Sequence, residues 1–171
     1  MKIANIFLGD DVEIDPSSSI NNVIIGSHVK IAKRCSIYGS LANPLEIGCE
    51  SYIGMNTVIN GFAAKVRIGT NVSIAQNVNI MADSGPNASH ALQKIFPIIN
   101  GEVHIGNSSW IGASTIIMPG VFLGEFCIVA AHSFVNKSFP AFSVIGGSPA
   151  RLIRSLSESE IAKLLENDKI S

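Results

Sequence analysis

The chain has 171 residues and a formal net charge of −1, with 47% hydrophobic and 15% charged residues. This composition suits one folded domain and excludes an intrinsically disordered chain. The near-neutral charge gives no electrostatic reason to expect binding to nucleic acid or to an acidic membrane. No apolar run approaches the roughly 20 residues of a membrane span, and the first ten residues do not read as a signal peptide.

A six-residue repeat starts near the N-terminus and continues along most of the chain. Aliphatic residues head successive blocks of six, in runs that begin at Leu8, Ile25, Ile47, Ile68 and Ile105. Six is an even number, so every head residue of an alternating strand points to the same side. A large head residue and a small residue four places later would fill a narrow prism. The repeat therefore predicts an all-β stack of parallel coils.

Small residues recur at fixed places in the repeat. Glycine often follows the head residue, and asparagine recurs at positions 56, 71, 77 and 107. Both residue types suit tight corners with positive φ. Cys35 and Cys127 fall on the small inward position, which predicts buried free thiols. Three widely spaced cysteines, counting Cys49, favour a cytoplasmic location.

The repeat is interrupted in three places, and the interruptions of a repeat protein often carry its function. Residues 39–46 and 61–67 are predicted to form small loops. The longest interruption, about residues 83–102, lies between two well-phased coils. It is therefore predicted to project outward from the stack.

The C-terminal segment loses the repeat and predicts a helix. Residues 139–150 are expected to form an irregular last coil. Ser157 and Glu160 then have the spacing of a capping box, and apolar residues follow at helical spacing. A short C-terminal α-helix would cover the open end of the stack. The predicted division is a β-helix domain over residues 1–154 and a helix with a tail over residues 155–171.

The phased repeats, the long loop with a histidine, the Trp110-Ile111-Gly112 segment and the Gly-Ser-Pro-Ala-Arg-Leu-Ile segment at 147–153 resemble the hexapeptide-repeat acyltransferases. Among these the chain is most similar to sugar and polysaccharide O-acetyltransferases, such as the galactoside and maltose acetyltransferases. The resemblance implies a left-handed parallel β-helix, a hand that the spacing alone does not fix. It also implies a homotrimer with active sites between subunits. Acetyl-CoA would be the co-substrate, with no metal, and a sugar or glycan hydroxyl would be the acceptor.

The resemblance also implies which residues bind CoA. These are Trp110, Ala113, Ala131, Asn136, Lys137, Arg151 and Arg154. The two alanines match positions whose backbone meets the pantetheine arm, and the Asn-Lys pair matches one near the nucleotide. The two arginines match basic residues near the CoA phosphates, which favour guanidinium forks.

Acetyl transfer needs a base that takes the proton of the acceptor. His90 is the only histidine of the long loop, and its imidazole suits that role near neutral pH. Asp83 is predicted to orient the imidazole, and Ser84 and Asn87 to contact the acceptor. The chain departs from the family pattern because Gly85-Pro86 occupies the place of the usual His-Pro pair.

Three alternative functions remain open. The first is an N-acetyltransferase of an amino sugar nucleotide. The second is a γ-type carbonic anhydrase, which requires three histidines on a metal with two of them closely spaced; the four histidines of this chain include no such pair. The third is a non-catalytic scaffold, which acetyl-CoA would fail to stabilise in a thermal shift experiment.

Overall fold

A computed structural model describes residues 5–168 of the chain. The strands, in chain order, are β1 (Ile6–Leu8), β2 (Glu13–Ile14), β3 (Ser19–Asn21), β4 (Val23–Ile25), β5 (Lys30–Ile31), β6 (Ser36–Tyr38), β7 (Leu45–Ile47), β8 (Tyr52–Ile53), β9 (Val58–Asn60), β10 (Val66–Ile68), β11 (Ser73–Ile74), β12 (Asn79–Met81), β13 (Asp83–Ser84), β14 (Ile99–Asn100), β15 (Val103–Ile105), β16 (Trp110–Ile111), β17 (Ile116–Ile117), β18 (Phe122–Leu123), β19 (Ile128–Val129), β20 (Phe134–Val135), β21 (Ser143–Gly147) and β22 (Ala150–Ser155). The helices are α1 (His90–Gln93) and α2 (Glu158–Asp168). Neither helix has the length and apolar character needed to cross a membrane.

Three sheets form the three faces of a prism. The first face contains β1, β4, β7, β10, β15 and β18. The second face contains β2, β5, β8, β11, β16, β19, β21 and β22, and the third contains β3, β6, β9, β12, β17 and β20. Within these three faces, the described strands of successive coils pair in parallel, except that β22 pairs antiparallel with β21. The predicted parallel β-helix is therefore confirmed.

The prism is filled by the head residues of the repeat. On the second face Ile53, Ile74 and Ile111 lie in register and are fully buried. Truncating such a side chain to alanine typically costs about 2–5 kcal/mol. The small inward positions include Cys35 and Cys127, which are buried as predicted. Their Sγ atoms each lie 3.2 Å from a backbone carbonyl oxygen of a neighbouring coil.

Residues with positive φ stack in columns at the corners. Between the second and third faces, at what we term the groove corner, the column consists of Arg34, Asn56, Asn77, Ser114 and His132. Each turn bonds to the one before it, as when the Asn77 N–H donates to the Met55 carbonyl at 2.9 Å. These bonds offset the strain of the left-handed conformation. The expected positive φ is found at Asn56, Asn71 and Asn77, but the expectation is wrong for Asn107, because Ser108 takes that conformation instead.

The glycines that follow head residues serve a different purpose from the one expected. Among residues 5–168, positive φ occurs in only two glycines, Gly120 and Gly147. A Cβ on Gly112 would instead lie 2.5 Å from the backbone nitrogen of Ala131. Glycine is required at Gly112 because the next coil approaches too closely for a side chain.

The three interruptions all leave the prism between the third and first faces, at what we term the loop corner. The longest begins with the antiparallel hairpin β13–β14, in which Asp83 pairs with Asn100. The Gly101 N–H donates to the Ala82 carbonyl at 3.0 Å and closes the corner beneath the hairpin. The loop therefore projects outward, as predicted, and carries α1.

The capping box at the start of α2 is confirmed. The Glu160 N–H donates to the Ser157 hydroxyl at 3.3 Å, and the Ser157 N–H donates to the Glu160 carboxylate at 2.7 Å. The preceding residue, Leu156, is buried, and its N–H donates to the Phe142 carbonyl at 2.8 Å. These contacts attach α2 to the last coil of the prism.

Candidate active site

A groove of 460 Å³ runs along the groove corner, on the coils closer to the C-terminus. Its lining consists of Ala75, Trp110, Gly112, Ala113, Ile128, Val129, Ala130 and Ala131. Trp110 faces outward and is 56% exposed, in agreement with its place in the repeat. The methyl side chains of Ala113 and Ala131 leave the backbone of the corner open. The structure thus brings together three of the residues predicted to bind CoA.

Arg151 lies on β22, the last strand of the same face, next to the groove corner. It pairs with Gly146 across β21 and β22, and a Cβ on Gly146 would lie 2.9 Å from the Cβ of Ala130. Within residues 5–168, the Arg151 guanidinium donates one hydrogen bond, of 3.0 Å, to the carbonyl of the neighbouring Ala150. It is therefore an exposed cation directly beyond the alanine-lined corner.

Arg154 already has an anionic partner. Its Nη1 and Nη2 atoms lie 2.8 and 2.9 Å from the two carboxylate oxygens of Glu160. The hydrogen bonds from Arg154, followed by those from Ser157, lower the pKa of Glu160 to about 2. The same ion pair raises the pKa of Arg154. A phosphate that binds Arg154 must therefore displace or share a carboxylate.

Asn136 and Lys137 do not line the groove of their own chain. They follow β20 at the loop corner, and the third face lies between them and Ala131. Both side chains are exposed. The Lys137 ammonium lies 5.4 Å from the centre of the Phe139 ring, within the range of a cation–π contact.

His90 is the first residue of α1 and is exposed at the outer part of the loop. Ser89 caps this short helix, because its hydroxyl accepts from the Leu92 N–H at 3.3 Å. The Gln93 amide donates to the carbonyls of Pro86 and Asn87 at 3.0 and 3.1 Å. These bonds order the turn on which the exposed imidazole is carried.

Asp83 lies at the root of the loop, and its Oδ1 accepts a hydrogen bond of 2.8 Å from the Asn60 amide. Across the described residues, no hydrogen bond joins Asp83 to His90. Ser84 belongs to the β13–β14 hairpin, opposite Ile99. Asp83 therefore bonds to the coil that contains β9 and not to the imidazole of His90.

Asn60 and Tyr38 are neighbours of Asp83 that the sequence did not identify. They are paired in register as the last residues of β9 and β6. Burial, and secondly the charge of Asp83, raise the pKa of Tyr38. Both residues directly follow an inward residue of the repeat, Ile59 or Ile37. That shared place in the repeat could have predicted that they lie next to each other at the loop corner.

The projecting loop and the alanine-lined groove lie on opposite edges of the third face. His90 therefore does not meet Ala113 or Ala131 of the same chain. Throughout residues 5–168, no group of three or more His, Cys, Asp or Glu side chains could hold a metal ion. The groups described here that could take part in chemistry are the exposed His90 imidazole, the groove lined by Ala113 and Ala131, and the exposed Arg151 guanidinium.

The known proteins to which this chain is similar are named acetyltransferases, although no family model matches the chain. The chain is 34% identical over 125 residues to galactoside O-acetyltransferase of Escherichia coli (strain K12), covering 72% of this chain and 60% of that protein. It is 36% identical over 124 residues to the putative acetyltransferase YJL218W of Saccharomyces cerevisiae, covering 72% and 62%. The chain thus spans about three-fifths of the length of these two curated relatives, and 32% and 50% of two others.

Two solved structures extend the comparison. AntD, an N-acyltransferase from Bacillus cereus in complex with dTDP and 3-hydroxybutyryl-CoA, is 26% identical with a TM-score of 0.80, over 95% of this chain and 88% of that one. A galactoside acetyltransferase in complex with coenzyme A is 27% identical with a TM-score of 0.63, over 91% and 67%. Both share the coiled fold along nearly the whole of this chain.

Proposed function

The chain belongs to the hexapeptide-repeat acyltransferases, and from that premise we propose that it transfers an acetyl group from acetyl-CoA to a hydroxyl group of a sugar or polysaccharide precursor. The observation that carries the proposal is the open groove formed by Trp110, Ala113 and Ala131, together with the exposed Arg151 on the last strand of the same face. Its mostly apolar lining suits an extended chain such as pantetheine, and the nearby Arg151 suits a phosphate. Relatives in complex with CoA or an acyl-CoA support this use of the groove.

The active site would form between copies of the chain. The loop with His90 and the groove with Ala131 lie at different corners of one prism, so each needs the other from a neighbouring molecule. A head-to-tail contact of this kind closes into a ring when the rotation allows, and a homotrimer is the proposed assembly. The exposed apolar side chains Leu92, Ile95 and Phe96 of the loop favour such a contact.

In the proposed reaction, His90 takes the proton from the acceptor hydroxyl while the oxygen attacks the thioester carbonyl. The new carbon–oxygen bond produces a tetrahedral oxyanion. Its collapse breaks the carbon–sulfur bond, and the proton held by His90 passes to the departing thiolate. The products are an acetyl ester and free CoA thiol. Ser84 and Asn87, on the same loop, would contact the acceptor.

A second candidate is acetyl transfer to the amine of an amino sugar nucleotide. The similarity to AntD, an N-acyltransferase in complex with dTDP, favours it. The groove and the base would be used in the same way, and only the acceptor would differ. A cytoplasmic location belongs to the proposal in either case, because Cys35, Cys49 and Cys127 are free thiols.

The proposal is tested by incubating the protein with acetyl-CoA and measuring thiol release with methyl β-D-galactopyranoside, methyl α-D-glucopyranoside and dTDP-4-amino-4,6-dideoxyglucose. We expect acetyl-CoA to raise the melting temperature and a methyl glycoside to stimulate thiol release. Release with only the amino sugar nucleotide would favour the second candidate. A protein that acetyl-CoA does not stabilise and that releases no thiol would contradict both and favour a scaffold.

A further inference from the structure

Arg154 and Glu160 form a closed contact at the start of α2. The guanidinium Nη1 and Nη2 atoms lie 2.8 and 2.9 Å from the two carboxylate oxygens, which is the bidentate geometry of a strong arginine–carboxylate pair. The Glu160 Oε2 atom also accepts hydrogen bonds from the Ser157 N–H at 2.7 Å and the Ser157 hydroxyl at 3.0 Å. One carboxylate thus both neutralises the arginine and caps the helix.

Arg154 lies in line with the groove of the candidate active site. Trp110, Ile128, Val144 and Arg154 are partners in register on four neighbouring strands of the second face. Adjacent strands lie about 4.8 Å apart, so the Cα atom of Arg154 is about 10 Å from that of Ile128, which lines the groove. A molecule that lies in the groove and extends along this face toward the C-terminal end therefore approaches the Arg154 guanidinium.

The two arginines of β22 differ in their partners. The lining of the groove contains no charged side chain, so the phosphates of a ligand that lies there must find cations beyond it. Within residues 5–168, Arg151 bonds to the Ala150 carbonyl and forms no ion pair with a carboxylate. Arg154 bonds to the Ser155 carbonyl at 3.3 Å and to Glu160. One cation is therefore open to an anion, and the other already holds an anion of the same chain.

We propose that Glu160 is an internal competitor of the acyl donor, because its carboxylate occupies on Arg154 the position that a phosphate of CoA takes in the complex. Binding of CoA would exchange one ion pair for the other and detach Glu160 from Arg154. The inference rests on the proposed function, since it requires CoA as the ligand. The phosphates are assigned to Arg154 by their chemistry, because phosphate and carboxylate bind a guanidinium in the same bidentate manner.

The exchange is physically accessible because the ion pair lies at the surface. The side chains of Arg154 and Glu160 are 51% and 41% exposed, and an exposed ion pair contributes little to stability. Glu160 can leave Arg154 and keep its bonds to Ser157, so the cap of α2 persists. Free CoA carries the same phosphates as acetyl-CoA. The competing carboxylate therefore weakens the binding of product as well as donor, which would speed the release of CoA after transfer.

Glu160→Gln tests the competition, because glutamine keeps the capping box while it removes the charge. Calorimetric titration with CoA should give a Kd about threefold to fivefold lower than that of the wild type, the range expected when an exposed ion pair no longer competes. The matched control is Glu158→Gln, an exposed residue of the same helix turn, which should leave the Kd unchanged. A Kd of Glu160→Gln equal to or above that of the wild type would overturn the proposal.

Two further measurements show whether the effect acts through Arg154. In an Arg154→Ala background, Glu160→Gln should no longer change the Kd of CoA; an equal gain in both backgrounds would refute the competition. In the wild-type chain, CoA should shift the Glu160 carboxyl resonance in carbon-detected NMR, and pantetheine, which has no phosphate, should not. A Glu160 resonance that saturating CoA leaves in place would refute the exchange alone. Failure of CoA to bind the wild-type chain would instead refute the proposed function.

Discussion

The side-chain amide of Asn60 donates a hydrogen bond of 2.8 Å to the Oδ1 atom of Asp83. This bond connects the coil that contains β9 with the first residue of the hairpin that carries the long loop. It gives Asp83 an anchoring role, since the carboxylate has no hydrogen bond to His90 within the described part of the chain. The position of the proposed base would then depend on how firmly the loop root is held.

Asp83 offers a test of anchoring against direct orientation of the imidazole. Asp83→Ala removes the acceptor of the hydrogen bond from Asn60. It should lower kcat about tenfold, which corresponds to the loss of one partly buried hydrogen bond. Asp83→Asn keeps an acceptor oxygen and should retain most of the activity. The two variants are compared by thiol release at saturating substrates. Equal losses in both would instead favour a role for the charge.

His90→Ala should reduce acetyl transfer by a factor on the order of 10² to 10⁴, the usual contribution of a general base. The stabilisation by acetyl-CoA should persist, because the proposed role of His90 is toward the acceptor and its side chain is not part of the groove of its own chain. His104→Ala, on the first face, is the control and should remain active. Turnover by His90→Ala equal to that of the wild type would remove this residue from the mechanism.

A mixed assembly tests whether the site forms between copies. Ala131→Trp should fill the groove and inactivate the chain, and His90→Ala inactivates it at the loop. Random assembly of equal amounts into cyclic trimers gives about a quarter of the clefts one intact groove and one intact loop. Coexpression should therefore restore about a quarter of the wild-type activity per trimer. No recovery in verified mixed trimers would contradict a shared site.

The ion pair between Glu160 and Arg154, which helps to attach α2, should be lost only at strongly acidic pH. The Arg154 hydrogen bonds lower the pKa of Glu160 to about 2. A carboxyl whose pKa is lowered on folding stabilises the fold above its unfolded value of 4.5, and that contribution is lost as the pH falls through about 2. Carbon-detected NMR titration should give a Glu160 midpoint near pH 2. Arg154→Ala should raise the midpoint toward 4.5, and Arg151→Ala should leave it unchanged.

The thiols should differ in reactivity. Burial raises the pKa of Cys35 and of Cys127, so few thiolates form there at mildly alkaline pH. Cys49 is exposed. Ellman's reagent should therefore modify one thiol of the folded protein rapidly and three after denaturation. Cys49→Ser should remove the rapid phase. Rapid modification of two or more thiols in the native state would contradict the packing of the prism.

Much of the fold could be predicted from the sequence because a six-residue period specifies which side chains point inward. Ile111 and Ile117 mark neighbouring faces, and Ser157 with Glu160 marks the start of the last helix. The same period also contains information about corners, since Ala131 and Lys137 are six residues apart and so must lie one face apart. That spacing separates two residues that the family resemblance groups together.

Other features depend on distances that no local pattern encodes. Asn60 and Asp83 are brought together by stacking across 23 residues, and the loops on either side of this segment break the count from coil to coil. The carboxylate on Arg154 comes from a helix whose docking angle the capping box does not specify. The need for glycine at Gly112 arises from the approach of the following coil rather than from its own φ.

The hydrogen bond from Gly101 to Ala82 closes the loop corner at 3.0 Å, so the stack of coils is continuous beneath the long loop. The loop is thereby relieved of any part in keeping the coils in phase. The loop could therefore be shortened or exchanged while the prism and the groove lined by Ala113 and Ala131 keep their shape. In the proposed enzyme, the catalytic base would thus be separable from the scaffold that presents it.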